Sequence, residues 1–358
     1  MIALTGIVFS LAFVLQQYLT VTYSPRIVQA MQRGILPHAI GVFTATFIFC
    51  LVSLHSVRTD ENDPNGSLVL WVALFWLLLS IIMLIFIIVR VGDMSIVRVL
   101  FFLEEAGNNA IEKVYKKYSV DSAQISAQNF LPFSNPYSVI YRGSTRYIGD
   151  YSIRRLLVLA EKYNAVIQMS HSLGDPITDG DELFIINGGS IPKKDLFCSV
   201  IFQWQRFVKN DPRYTLRLLV DVAIRALSPG INDPTTAVQS LDHIESLLKK
   251  LGNSNLTIGT ILDAKNKVRI IFPAPSWNDY LSLSLLEILQ YGKNSLPIER
   301  RIGALLFSLK KNVAEQYRPA VELIEKQRLK IIDSLHDDLY RSEAGKVDRQ
   351  GLGARGLT

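Results

Sequence analysis

Apolar and polar positions change their rhythm near residue 94. Before it, the stretches 2–18, 39–54 and 68–89 contain no Asp, Glu, Lys or Arg. The third is a run of 22 residues, enough to cross about 30 Å of hydrocarbon. The first two lie near the lower length limit, and Gln16-Gln17 falls at the end of the first. A signal peptide competes for 2–18, but no basic n-region precedes it and no A-x-A-like site closes it. The pattern predicts a transmembrane region over 1–93, with spans at about 2–18, 39–54 and 68–89.

After residue 94 the period becomes that of an amphipathic helix. Val97, Leu100, Phe101, Ile111, Val114 and Tyr115 recur at helical spacing beside Lys113, Lys116 and Lys117, which predicts a connecting helix within 94–128. A proline-containing loop follows, and then strand patterns at 137–141, 146–148, 165–169 and 183–186. A helix capped by Asp150 or Tyr151-Ser152 runs between them to about Tyr163. This is a small β-rich module over 129–192. The turn Gly174-Asp175-Pro176-Ile177-Thr178-Asp179-Gly180-Asp181-Glu182-Leu183 resembles the hairpin of biotinyl- and lipoyl-type barrel-sandwich modules, although no lysine matches their modified position. That resemblance implies a local β fold and no carrier role.

From Lys194 the pattern is helical, broken at Asn210-Asp211-Pro212, at Ser228 to Pro234 and in a strand-like interval over 256–272. It predicts helices at 214–227, 276–291 and 295–309 and a single long helix over 313–341. Glu322, Glu325 and Lys326 form a solvated face of that helix. The mainly helical domain is 193–341, and 342–358 reads as a disordered tail. The fold class is an α-helical membrane region plus an α+β region, in which a small barrel-sandwich-like module precedes a mainly helical domain.

Charge orients this arrangement. Arg26 and Arg33 lie between the first two spans with no acid, whereas Asp60, Glu61 and Asp63 face one Arg58 between the second and third. Counting basic residues puts the first loop, and with it everything after the third span, in the cytoplasm. The expected location is therefore a bacterial inner membrane, crossed several times. Spans without ionisable groups argue against a proton-coupled pump working through them alone. Gly41 and Ala45, four apart, let another helix approach closely, either from a second copy or within one subunit.

The remaining composition excludes more than it assigns. A net charge of +6, with no Lys/Arg run interleaved with aromatics, gives no nucleic-acid footprint. Cys50 and Cys198 form neither a disulfide framework nor a metal spacing. His38, His55, His171 and His336 make no H-E-x-x-H pair, and no glycine-rich phosphate loop occurs. Asp175, Asp179, Asp181 and Glu182 lack the order of a calcium loop, so they read as turn carboxylates. No cofactor and no metal is expected.

Two features carry candidate chemistry. Arg217, Asp221 and Arg225 recur every four residues on one face of an otherwise apolar helix. They form either a buried Arg-Asp-Arg ladder tying helices together or an anion or headgroup site built on arginine forks. Next comes the corner Ser228-Pro229-Gly230-Ile231-Asn232-Asp233-Pro234, in which Asp233 is placed to cap a helix that starts at Pro234. Ser228, Asn232, Asp233 and Thr236 also bring side-chain oxygens to a helix N-terminus, chemistry that suits a phosphate or carboxylate. A serine nucleophile is disfavoured, because no G-x-S-x-G elbow exists and nothing places His243 beside Ser228.

Through Thr5-Gly6-Ile7-Val8-Phe9-Ser10, Tyr23-Ser24-Pro25-Arg26, Gly41-Val42-Phe43, Arg206, Asp211, Leu216-Arg217, Leu219-Val220-Asp221, Arg225 to Pro234 and Thr236-Ala237, the chain resembles an uncharacterised bacterial family of predicted membrane proteins with a domain of unknown function. Val268 to Tyr280 is similar to that family's strand-then-helix step. The resemblance implies additional sequence, with at least one more membrane segment, before the position of Met1. It implies no activity.

The reading is a non-enzymatic oligomeric channel or transport component whose cytoplasmic part senses an anionic small ligand. Its alternatives are a membrane-tethered enzyme acting on a lipid or phosphorylated small molecule, and a scaffold for other proteins. The expected partners are the lipid bilayer, further copies of the chain and that ligand.

Overall fold

The computed structural model describes residues 35–59, 66–92, 95–118, 136–208, 211–256, 259–334 and 338–350, with isolated positions 6, 10, 13, 14 and 17. The expected span at 2–18 and His336 fall outside or almost outside these residues. The chain divides into two compact units, 1–99 and 100–358.

The first unit pairs α1 (Ile35–Thr59) with α2 (Gly66–Gly92). Their contact is marked by a buried hydroxyl pair, Thr46 Oγ1 to Ser80 Oγ at 2.9 Å. Each hydroxyl also contacts its own helix, at Val42 O (2.7 Å) and Trp76 O (2.9 Å), so neither is left unsatisfied in an apolar setting. Three spans are expected from the pattern, but among the described residues one helix, Leu68–Phe86 at 19 residues, is long and apolar enough to cross a membrane. Ile40–Leu54 is a shorter apolar helix.

The helix α3 (Ile96–Tyr118) crosses the division at 99/100, and within the larger unit its buried stripe includes Leu100, Leu103, Ile111, Val114 and Tyr115. Gly107 allows its closest approach to the helical layer: a Cβ there would sit 2.8 Å from Leu247. Eight strands follow, interrupted by helices: β1 (Tyr137–Ile140), β2 (Arg146–Tyr151), α4 (Ile153–Lys162), β3 (Ala165–Met169), β4 (Pro176–Ile177), β5 (Glu182–Gly188), α5 (Lys193–Phe197), β6 (Val200–Gln203), α6 (Pro212–Ala226), α7 (Pro234–Gly252), β7 (Thr260–Leu262) and β8 (Val268–Ile271). They form a five-stranded sheet, β1-β5-β3-β8-β7, and a three-stranded sheet, β4-β2-β6.

Both sheets are open, so the barrel-sandwich expectation is corrected. Gly174 (φ 81°) and Gly180 (φ 94°) do adopt the left-handed turns that only glycine takes freely. The turn between them, however, sends its two strands into different sheets: β4 pairs with β2, and β5 pairs with β1 and β3. Closure is also prevented because β3 spends its other edge on β8, in parallel, with Ile167 opposite Ile270. Strands from beyond residue 193 thus complete the sheet begun before it.

The helical layer continues with α8 (Trp277–Gly292), α9 (Leu296–Asn312), a short 3-10 turn (Glu315–Tyr317), α10 (Arg318–Asp333) and α11 (Asp338–Ala344). The sequence fixes its starts through caps. Asp211 accepts from Tyr214 N at 3.0 Å, and Ser276 and Asp279 form a reciprocal capping box. The single helix expected over 313–341 is instead divided. Val313 is extended (ψ 158°) and Ala314 N donates to Gly252 O, so the helix restarts at Arg318-Pro319, where a missing N–H costs nothing. On α10, Glu322 and Lys326 are exposed as expected, while Glu325 pairs with Lys310. α11 runs into the stretch read as disordered, and Ala344 is fully buried.

Consecutive charges on α9 tie this layer together in three directions. Glu299 meets Arg328 of α10, Arg300 pairs with Glu343 of α11, and Arg301 lies between Asp242 (2.7 Å) and Glu245 (2.6 Å) of α7.

Candidate functional site

Arg217 and Asp221 do meet, with Nε 2.8 Å from Oδ1. Arg217 also pairs with Glu287 of α8. The arginine therefore ties α6 to α8. The Glu287 hydrogen bond and then the neighbouring acids, acting against burial, hold its pKa above the usual arginine range. Its side chain remains 31% exposed, which places the face half in water. Arg225 is half-buried further along α6. Its carbonyl accepts from Ser228 Oγ at 2.7 Å.

The corner is closed by local hydrogen bonds. Ile231 N and Asn232 N both donate to Ser228 O (3.0 and 2.9 Å), and Asp233 N donates to Ala226 O at 2.8 Å. Asn232 takes the left-handed conformation (φ 48°), which a short polar side chain tolerates. The Asp233 carboxylate caps α7, accepting from Thr236 N at 3.1 Å and Thr236 Oγ1 at 2.5 Å. The oxygens of Ser228, Asp233 and Thr236 are thus engaged with one another or with backbone. Pro229, Gly230, Ile231 and Asn232 stand exposed. Along α6, Arg217 and Ala226 are separated by roughly 14 Å at 1.5 Å per residue, so the seven candidate residues make two places, a charged face and a capped corner.

A third place was not singled out by the sequence. A cleft of about 30 Å³ opens where β3 and β8 end side by side, lined by His171, Ser172 and Leu173 after the first and by Phe272 to Pro275 after the second. Its floor is the buried pair Tyr115 and Tyr280, whose hydroxyls lie 2.7 Å apart. Burial pushes both phenols well above their ordinary pKa, so both stay protonated. At its side, Arg213 donates to Leu173 O (3.0 Å) and to Asp175 (2.9 Å), and Arg206 holds Asp211 at 2.6 Å. Asp175 raises the Arg213 pKa against the opposing effect of burial, which is the largest single influence. Tyr151 and Ser172 close the walls through Tyr151 Oη to His171 O (2.9 Å) and Ser172 Oγ to Pro273 O (2.8 Å). In the sequence Tyr115 is one apolar position of an amphipathic helix, and nothing local pairs it with a tyrosine 165 residues away.

Residues 1–307 match the family described as "Predicted membrane protein (DUF2254)". The chain belongs to this family. The DUF2254 match takes in the α6 face, the corner and the whole cleft, while α10 and α11 lie beyond it. Uncharacterized proteins of Mycobacterium tuberculosis and Mycobacterium bovis are 25% identical over 345 residues, covering 89% of this chain. The chain spans 63% of the length of those relatives. No solved structure matches it.

Proposed function

We propose that this DUF2254 protein is an inner-membrane component of an oligomeric channel or transport assembly, with the larger unit on the cytoplasmic side sensing a small ligand. The observation that carries this reading is the hairpin of α1 and α2. Over Leu68–Phe86 it has no charged residue, and it leaves Leu70, Trp71, Phe75 and Ile82 more than 60% exposed. An apolar surface of that extent belongs in lipid or against further helices. Two helices with no ionisable group at depth provide no relay of their own, so a conducting path needs several copies. In the sensing part, Arg217 and Asp221 offer a half-exposed charged face to an anionic group. The corner of Ser228, Asn232, Asp233 and Thr236, reached through Arg225, links the movements of α6 and α7.

The test is flux of ions and small anions in proteoliposomes, comparing the chain with Arg217→Ala and Asp233→Ala variants that still fold. Flux that depends on these residues supports the reading. Absence of flux from folded, reconstituted protein overturns the transport role in favour of a tethered enzyme or a scaffold.

A further inference from the structure

The cleft beneath the ends of β3 and β8 has chemistry of its own. These two strands are parallel, and ligands of α/β sheets gather outside the carboxyl ends of parallel strands, where the loops diverge. Six segments converge there, yet a cavity of about 30 Å³ remains, more than the roughly 10–15 Å³ one water needs. The floor also has a hydrogen-bonding remainder. One contact between Tyr115 and Tyr280 uses one phenolic proton, and a phenol pair carries two. Among the described residues neither hydroxyl makes another hydrogen bond. A buried donor of this kind costs free energy until an acceptor enters.

Charge and wall composition narrow the occupant. Arg213 is matched by Asp175 and Arg206 by Asp211, so the two ion pairs around the cleft cancel. Of these four groups Asp211 and Arg213 line the cleft, so an entering anion would meet the first and an entering cation the second. The surrounding surface is supplied by Val114, Met169, Phe272, Pro273 and Pro275, with His171 also on the lining. We propose that this cleft binds a small uncharged molecule carrying a carbonyl or hydroxyl oxygen on an apolar body, the oxygen accepting from the Tyr115–Tyr280 pair. Arg217 and Asp221 do not line the cleft, so this site is separate from the charged face proposed above for an anionic group.

The test uses the full chain in detergent and three probes of one shape: isobutyramide, isobutyrate and isobutylamine. Calorimetric titration is expected to show saturable binding of isobutyramide in preference to the charged probes. The double variant Tyr115→Phe/Tyr280→Phe removes both hydroxyls and keeps both rings, a replacement that is close to neutral for folding. It should weaken isobutyramide by about 10-fold, the size of one lost hydrogen bond. Nuclear Overhauser contacts from the probe's methyl groups to labelled tyrosine rings locate the site in the unmodified protein, should the variant fail to fold. Tighter binding of a charged probe, binding indifferent to the double variant in a folded protein, or no binding of isobutyramide overturns the proposal. Probe binding without membrane flux sinks the transport reading alone, whereas flux without probe binding sinks this assignment alone.

Discussion

Glu299 Oε2 lies 3.4 Å from Arg328 Nε, and both side chains are almost wholly removed from water. Burial is the dominant influence on each. It raises Glu299 to about 7 and lowers Arg328 despite their mutual attraction. Both shifts point the same way, to an ion pair whose desolvation is not fully offset. Arg328 still donates to Glu299 O (3.0 Å) and Ala344 O (2.7 Å), so the guanidinium keeps α11 attached whichever form Glu299 takes.

A carboxyl raised above its unfolded value stabilises the fold fully below that value, about 4.3, and the contribution is lost as pH rises through about 7. Unfolding by urea at pH 5.5 and 8.0 should therefore show an extra loss of about 2 kcal/mol at the higher pH. Glu299→Gln should remove that part of the dependence. An unchanged pH profile in the variant would contradict this account of Glu299.

Arg301 poses the opposite case on the same helix. Burial works against the Glu245 charge, but Lys249, Ser308 and Arg301 outweigh it and hold its pKa below the usual range. That contribution is present above the unfolded pKa and lost as pH falls through the folded one. Arg301→Ala leaves Glu245 buried with a partner removed, and should cost about 3 kcal/mol at pH 7 by denaturant titration. The loss should shrink in acid.

Asp233→Ala removes the α7 cap and should cost about 1 kcal/mol, while Asp233→Ser retains a capping oxygen and most of the stability. Thermal unfolding of the two variants separates architecture from sensing. If Asp233 also meets a ligand, the serine variant folds normally and still loses regulation of flux.

Two glycines bracket the steric range. A Cβ at Gly189 would fall 1.8 Å from the Tyr163 carbonyl oxygen, a backbone atom that cannot rotate away, so Gly189→Ala should cost at least about 2 kcal/mol or prevent folding. At Gly230 a Cβ meets nothing within 4 Å. Gly230→Ala should stay within about 0.5 kcal/mol of the parent in the same assay.

What the sequence made legible was local. Asp233-Pro234 announces a helix start through a side chain that reaches three residues ahead, and the structure uses it as a cap; Asp211 and Ser276 cap in the same way, where the pattern marked only a break and a helix start. The charge-free run around Leu68–Phe86 is readable for the same reason, since every residue in it tells one story. The pairing of Ile167 with Ile270, the meeting of Tyr115 with Tyr280 and the turn of Arg217 toward Glu287 depend on segments brought together from far along the chain. Gly174 to Leu183 shows the difference within one motif. Its turn conformations follow from its glycines, but the destination of its strands follows from which neighbours compete for their edges.

The parallel join of β3 and β8 also sets a timetable for the newborn chain. Met169 leaves the ribosome roughly 100 residues before Ile271, an interval of about 5 to 20 s at ordinary synthesis rates. Throughout that time β3 can pair with β5 but not with β8. α1 and α2 are made earlier, while the central sheet still has an open side. The larger unit therefore completes its central sheet late, and until β8 arrives the middle strand presents an unpaired edge, the kind of edge that invites pairing with another chain.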